Sequence, residues 1–524
     1  MFDLIIINGF IIDGTGEKGY FKDIAIVNDS IVKVGDLKEE TAKEIIDARG
    51  LIVAPGFIDI HSHSDWRIFS TLKTENVIRQ GVTTEVVGQC GDSAFPVIDV
   101  KAKEIHDYFS SQGIESKLLN WSTSKEFFEA SEENGLSHNI ASLVGHGTIR
   151  MNVMGYENRK PTDNEMDKMR AIVREAMESG AFGISTGLPY APGLYADTQE
   201  VVELCKEATK YNGVYTTHLR NQGNKLIEAI EEAIEIGESS GIKVDISHLK
   251  ATDRENWGKV FKAMEIMDKA RNKGLNIICD VYPYVAASNP LSAEFPSWLH
   301  EGGKEKFLER LRDRSFLERL QSEMPKEEAD IWSLIYVCDV SEDKNKTYIG
   351  KNIKEIANCI GGTPLNAACE VLLQNNGDVQ VIVICMSEED VKLVLGYSFA
   401  AIGADGGAFI KEGYTGHPRA FGTFPAFIGK YIRDEKLISL EEGIRKMTSL
   451  PAEFMGIKNR GVIKENMYAD IVVFDYKRII DKATYEKPAQ YPIGIEYVII
   501  NGKVQLEKGA FKGVSAGKVI RRGQ

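Results

Sequence analysis

Eight short apolar runs in this chain each close on a residue able to do chemistry. They end near His63, Cys90, His146, Thr186, His218, His248, Tyr282 and Asp405. Several are spaced by about 30 residues, the length of one strand–helix unit. Amphipathic stretches lie between them. Residues 165–179 carry Met166, Met169, Ile172, Val173, Ala176 and Met177 at three- and four-residue spacing, with Gly180 as a stop. A second helix is expected to start on Thr198 as its N-cap and to end before Gly213. Two more stop at Gly241 and Gly274. This alternation predicts a parallel sheet, and eight units predict an α/β fold of the TIM type. In such a (β/α)8 barrel the chemistry sits at the C-terminal strand ends.

The barrel is expected over residues 56–455. The interval from Tyr282 to Asp405 is too long for one unit. Residues 286–345 show a charged helical pattern from about 304 to 321 and β character from 332 to 340. They are therefore expected to form a peripheral inserted subdomain, with a lid over the barrel mouth as the alternative. Both chain ends look like β structure. Leu4–Ile7 and Phe10–Ile12 flank Asn8-Gly9, Ile24–Val27 and Ile31–Val34 flank Asn28-Asp29, and a third hairpin signal surrounds Asn501-Gly502. Ile-Ile-Asn-Gly occurs at 6–9 and again at 499–502. Neither end is large enough to bury a core alone, so residues 1–55 and 456–524 are expected to build one small β-sandwich together.

Composition narrows the classes of partner. The 524 residues carry 63 Lys and Arg against 77 Asp and Glu, a net charge of −14. A nucleic-acid backbone demands a basic footprint, so nucleic acid is not expected as a partner. No apolar run approaches the length of a membrane span. The N-terminus lacks the basic region of a signal peptide. The seven cysteines are odd in number and contain no CxxC pair, which points to free thiols in a reducing cytoplasm.

The chain has only nine histidines, and His61, His63, His146, His218 and His248 all fall at strand ends. In Asp59-Ile60-His61-Ser62-His63, alternation along a strand puts Asp59, His61 and His63 on one face. An isolated HxH is more often a pair of hydrogen-bonded histidines than a metal site. Here His218 and His248 lie 30 residues apart in adjacent units, and Asp405 closes the last run. Four histidines and a carboxylate on one barrel rim suit Zn²⁺. Cys90, between Gly88 and Gly91 after one place of Gln89, belongs to the same rim. A lone strand cysteine is usually core, but a nearby metal would favour its thiolate as a ligand or bridge.

The ordered motifs resemble those of the N-acyl-D-amino-acid deacylases (D-aminoacylases) of the amidohydrolase superfamily, nearly end to end. They include Pro-Gly-Phe-Ile-Asp-Ile-His-Ser-His at 55–63, Gly-Gln-Cys-Gly at 88–91 and Leu-Val-Gly-His-Gly-Thr-Ile-Arg at 143–150. Thr-His-Leu-Arg-Asn at 217–221, Ile-Ser-His-Leu-Lys at 246–250, Tyr-Pro-Tyr at 282–284, Gly-Ala-Asp-Gly at 403–406 and His-Pro-Arg-Ala-Phe-Gly at 417–422 continue the series. The resemblance implies a tight Zn²⁺ site at Cys90, His218 and His248, and a second, weaker one at His61 and His63. It implies that Asp405 is the catalytic acid/base and a neighbour of the metal. It assigns Lys250, Tyr282 and Arg419 to the substrate carboxylate. His146, at the third strand end, is placed with the substrate groups and stands as the second candidate for the base. The family pattern is departed from at Ser64-Asp65, where two acids are expected, and between Asp405 and Arg419.

The implied function is zinc-dependent hydrolysis of N-acyl-D-amino acids to a carboxylate and a free D-amino acid, with a small-molecule substrate and neither nucleic acid nor membrane as partner. A cyclic-amide hydrolase of the dihydropyrimidinase or hydantoinase kind is the first alternative, and a D-specific dipeptidase-like hydrolase the second. A non-enzymatic scaffold on the same fold is disfavoured because the chain keeps every ligand.

Overall fold

The computed structural model describes residues 1–37, 39–65, 67–70, 74–97, 121–324 and 328–523. His106 lies outside the described residues. Eight parallel strands form the centre: β1 Phe57–Asp59, β2 Val82–Val87, β3 in two pieces (Asn139–Ser142 and Val144–Gly145), β4 Gly183–Gly187, β5 Val214–His218, β6 Lys243–Ile246, β7 Ile277–Val281 and β8 Ala400–Ile402. Neighbours in sequence pair in order from β1 to the first piece of β3, and from its second piece to β8. Beyond β1 and β8 the chain continues the pairing. The Asp405 N–H donates to the His61 carbonyl at 2.8 Å and the His63 N–H to the Gly406 carbonyl at 2.7 Å. This is the (β/α)8 architecture, and those two bonds tie the HxH segment to the Asp405 segment.

The strands are buried over nearly their whole length because helices cover them on the outside. The helix Asp163–Ser179 begins with a reciprocal Thr162–Glu165 capping box and ends on left-handed Gly180. The next helix is Thr198–Thr209, and its cap is Asp197 rather than Thr198, with the Asp197 carboxylate accepting from the Glu200 N–H at 2.9 Å. Leu226–Ser240 and Lys259–Asn272 complete this series, the first capped by Gly241 and the second followed by Gly274.

The two chain ends form two sheets. One has four strands, all from the N-terminal end. The other has seven, with Ile471–Phe474 in antiparallel register with Ile52–Pro55. Two of the three hairpin signals make hairpins: Asp23–Val27 with Ser30–Gly35, and Ile495–Ile500 with Lys503–Glu507. The first does not. Phe2–Ile7 pairs with Asp23–Val27 and Ala42–Asp47 in one sheet, whereas Phe10–Ile11 joins the other beside Ile52–Val53. Asn8-Gly9 is thus the corner where the chain changes sheets. Any Cβ at Gly9 would come within 2.4 Å of Val53 Cγ2, so the close crossing requires glycine.

The insertion is larger than residues 286–345. Its sheet has Val379–Ile384 as the central strand, antiparallel to both Ala286–Pro290 and Ile335–Val340. The unit therefore runs on to residue 384 and has its own core, including Leu291, Phe307, Leu311, Val337, Ile356 and Leu372. The charged helical stretch is two helices, Gly303–Arg312 and Arg314–Glu323, because Asp313 turns out of the first and caps the second. The insertion is fastened to the barrel rim. His417 Nε2 lies 3.0 Å from the Ala286 carbonyl, and the Thr415 hydroxyl donates to the Cys338 carbonyl at 2.5 Å. No helix among the described residues is long and apolar enough to cross a membrane.

Candidate metal centre and amide-binding site

The strand ends bring two overlapping donor groups together at the rim. His61, His63, Cys90 and Asp405 form one, and Cys90, His218 and His248 the other, each with its ligand atoms within 4.8 Å of one another. Cys90 Sγ stands at the junction, 3.4 Å from His61 Nε2, 3.7 Å from His218 Nδ1 and 3.5 Å from His248 Nε2. Asp405 Oδ1 lies 3.1 Å from His63 Nε2 and 3.6 Å from His61 Nε2. The backbone accepts strain to aim these groups. Cys90, His248 and Asp405 have φ of 54°, 37° and 48°, a region that non-glycine residues rarely occupy. Such strain at three converging side chains marks a functional site. Gly91 lets Cys90 turn there, since a Cβ at 91 would meet the Gly187 nitrogen at 2.6 Å.

The donors suit a divalent ion. Burial, helped by the Lys250 charge, holds the His218 and His248 imidazoles well below their ordinary pKa, so they are neutral lone-pair donors. Burial also opposes charge on His61, but Asp280 and Cys90 outweigh it and raise that imidazole to about 10, so His61 would ligate an ion only by giving up a proton to its arrival. Burial alone would raise the Asp405 carboxyl. The Arg419 guanidinium and the His63 hydrogen bond reverse this and hold it well below the usual carboxylate range. Burial raises the Cys90 thiol, with His61 opposing the rise, so an ion would have to displace its proton; one thiolate and two imidazoles would then leave the fourth position that a catalytic zinc keeps open.

Residues not singled out from the sequence orient these donors. Asp280 Oδ2 is 3.0 Å from His61 Nδ1, and its Oδ1 accepts from the His248 N–H at 2.8 Å. Gln222 Nε2 is 3.2 Å from His248 Nδ1. Tyr190 sets its ring edge-on to His218, with centroids 4.9 Å apart. Carboxylate and amide partners of this kind fix the tautomer and aim of a ligating histidine. Asp280 had one signal in the sequence: it stands two residues before Tyr282, on the same strand face.

Beside the donors lies a cavity lined by His248, Lys250, Tyr282 and Met386, among others. The Lys250 ammonium sits 5.4 Å from the Tyr282 ring centroid and the Arg419 guanidinium 4.8 Å from it. Tyr282 is 2% exposed, and its hydroxyl has no hydrogen-bond partner among the described residues. Burial lowers Lys250 to about 8, with the Asp405 charge opposing the fall. Arg419 also makes a contact that the sequence did not reveal, with its Nη1 2.7 Å from Asp405 Oδ2. His146 is turned elsewhere. It opens the helix His146–Met154, and its Nε2 is 2.8 Å from the buried Glu200 carboxylate, which also accepts from Arg150. It belongs to neither donor group.

Comparison with known proteins agrees with this picture. A model described as the amidohydrolase family matches residues 44–231 and 404–505. The D-aminoacylase of Alcaligenes xylosoxydans xylosoxydans is 33% identical over 521 residues, covering 99% of this chain and 98% of that protein. The N-acyl-D-glutamate deacylase of the same organism is 30% identical over 95% of this chain and 93% of its own length. Among solved structures, the N-acyl-D-glutamate deacylase of Bordetella bronchiseptica, complexed with zinc and a phosphonate inhibitor, superposes with a TM-score of 0.83 at 29% identity, covering 99% of both chains. An L-hydantoinase from Arthrobacter aurescens, at 15% identity and a TM-score of 0.60, shares the fold. Full-length identity at this level, together with the family match, shows that the chain belongs to the amidohydrolase family, in its D-aminoacylase branch.

Proposed function

We propose that this protein hydrolyses the amide bond of N-acyl-D-amino acids, releasing a carboxylate and a free D-amino acid, with zinc as its metal. The observation that carries this reading is the position of Asp405. It lies between the histidines of the donor groups, 3.1 Å from His63 Nε2, and Arg419, 2.7 Å from its Nη1. The relatives' stated activities support the D-amino-acid class.

A zinc ion held by Cys90, His218 and His248, with His61 and His63 as a second and weaker site, supplies Lewis acidity to the scissile carbonyl and to the attacking water. The protein's own groups do the rest. Lys250, Tyr282 and Arg419 receive the α-carboxylate, Arg419 through its planar fork, Lys250 as a point charge and Tyr282 through its unpaired hydroxyl. Asp405 takes the water's proton at a carboxylate oxygen and returns a proton to the leaving nitrogen, which would otherwise depart as an amide anion. A carboxylate clamped by Arg419 is a poor base. Binding of the substrate carboxylate to the same guanidinium draws that charge away and restores the basicity of Asp405 as the substrate arrives.

Arg419→Ala is therefore expected to do two things. KM rises by at least about tenfold as one charged hydrogen bond is lost. The acid limb of the kcat/KM profile also moves to higher pH, because the guanidinium no longer depresses the Asp405 pKa. A KM rise without that shift would leave Arg419 as a clamp alone. The function is tested by offering the zinc-loaded protein paired N-acetyl-D- and N-acetyl-L-amino acids together with dihydrouracil and a hydantoin. Turnover confined to the D-amides supports the reading, and turnover of the ring amides instead would assign the cyclic-amide class.

A further inference from the structure

Gln222 touches both a metal donor and a substrate-binding cation. It lies in the loop between β5 and the helix Leu226–Ser240. Its side-chain Nε2 is 3.2 Å from His248 Nδ1, and its Oε1 accepts from the Lys250 ammonium at 3.4 Å. The backbone around it is pinned. The Gln222 carbonyl accepts from the Thr252 N–H at 2.8 Å, and the Asn221 side chain accepts from the Gly223 and Lys225 N–H groups at 3.0 and 2.9 Å. A residue held in this way answers a change at either partner by turning its amide rather than by moving away.

The chemistry of the two partners fixes which way the amide points. An ammonium only donates, so it takes the amide oxygen, and the NH2 group is left for His248. Nδ1 of His248 must then accept. This puts the imidazole proton on Nε2, the nitrogen 3.5 Å from Cys90 Sγ. Nε2 is also the nitrogen on the donor group's side of the ring. Coordination of an ion there requires a bare Nε2 and leaves Nδ1 as the N–H. Two donors, Nδ1–H and the amide NH2, would then face each other across 3.2 Å. Turning the amide over gives its oxygen to Nδ1–H and takes that oxygen away from Lys250.

We propose that Gln222 is a positioning residue that turns its amide over when zinc takes His248, and so frees Lys250 for the substrate's α-carboxylate. The hand-off rests on the deacylase reading, which gives Lys250 the carboxylate, and adds an order to it: metal first, then anion. By linkage the effect is reciprocal. An anion that draws Lys250 away from Gln222 tightens zinc by the same factor. Substrate is therefore held weakly by protein that lacks the means to turn it over.

The test has two arms. ¹⁵N NMR of histidine-labelled protein reads the tautomer, with the His248 signals identified by their loss in His248→Gln. Chelator-stripped wild type should show a bare Nδ1 and a protonated Nε2, and zinc-loaded wild type a protonated Nδ1. A protonated Nδ1 in the stripped protein overturns the hand-off without any ligand or variant. The second arm measures, by calorimetry, the factor by which zinc tightens N-methanesulfonyl-D-alanine, a sulfonamide that keeps the α-carboxylate and offers no scissile amide. Zinc also attracts the anion directly, and that part is common to wild type, Gln222→Ala and Gln222→Glu. Alanine leaves Lys250 free in both metal states, and glutamate accepts from Lys250 and Nδ1–H together, so neither variant can hand Lys250 over. The zinc factor is expected to be at least about fivefold larger in wild type than in either variant. Equal factors in all three proteins overturn the hand-off and leave the deacylase reading intact. Failure of zinc-loaded wild type to bind the sulfonamide overturns the hand-off too, and turnover of N-acetyl-D-amino acids by the same preparation then decides the deacylase reading separately.

Discussion

Asp405→Asn is expected to fold, to bind zinc at Cys90, His218 and His248, and to lose at least about a hundredfold in kcat. Asparagine keeps the shape of the side chain: with its amide oxygen in place of Oδ2 it keeps the contact with Arg419, and its amide NH2 in place of Oδ1 can donate to Nε2 of a neutral His63. It cannot accept a proton. Metal content by elemental analysis and steady-state kinetics on an N-acyl-D-amino acid separate the roles. Retained metal with lost kcat identifies the proton carrier, whereas lost metal would make Asp405 mainly a ligand. A kcat near wild type would place the base elsewhere. His146, the second candidate from the sequence, fits that role poorly, because its Nε2 is engaged by Glu200 at 2.8 Å.

Cys90→Ala should have the second large effect. Its sulfur lies within 3.7 Å of nitrogens from three histidines and is shared by both donor groups, so its removal opens both at once. Zinc affinity is expected to fall by at least about a hundredfold, since loss even of a group that only orients a ligand costs up to that much. Cys359→Ala is the matched control, because Cys359 is exposed and should leave the metal in place.

How much of this was legible in the sequence depended on whether a signal was local. His218 and His248 could be read as neighbours because they close consecutive strand–helix units, and β5 and β6 indeed pair directly, with Thr217 opposite Ile246. Three strand–turn–strand signals looked alike at the chain ends, yet only two became hairpins. Nothing in Asn8-Gly9 itself announces that Phe10 will find Ile52 across the chain. The extent of the insertion was hidden for the same reason. Val379–Ile384 is an apolar run that would suit a barrel strand as well as the centre of a separate sheet, and only its partners decide. Gln222 went unread because a single loop amide has no pattern until the histidine it orients is in place, and the one signal at Asp280, its spacing from Tyr282, does not point to His61. The Arg419–Asp405 contact, which alters the expected behaviour of both residues, joins positions read as having separate tasks, one for the substrate carboxylate and the other for proton transfer.

The central claim is that a Cys90-containing zinc site drives the hydrolysis of D-amides. It is tested most directly by titrating zinc into chelator-stripped wild-type and Cys90→Ala protein while following turnover of an N-acyl-D-amino acid. Wild-type activity should rise from near zero and reach its maximum at about one zinc per chain, with Cys90→Ala inactive over the same range. Full activity in the stripped wild-type protein, or a Cys90→Ala titration that overlays the wild type, would contradict the account.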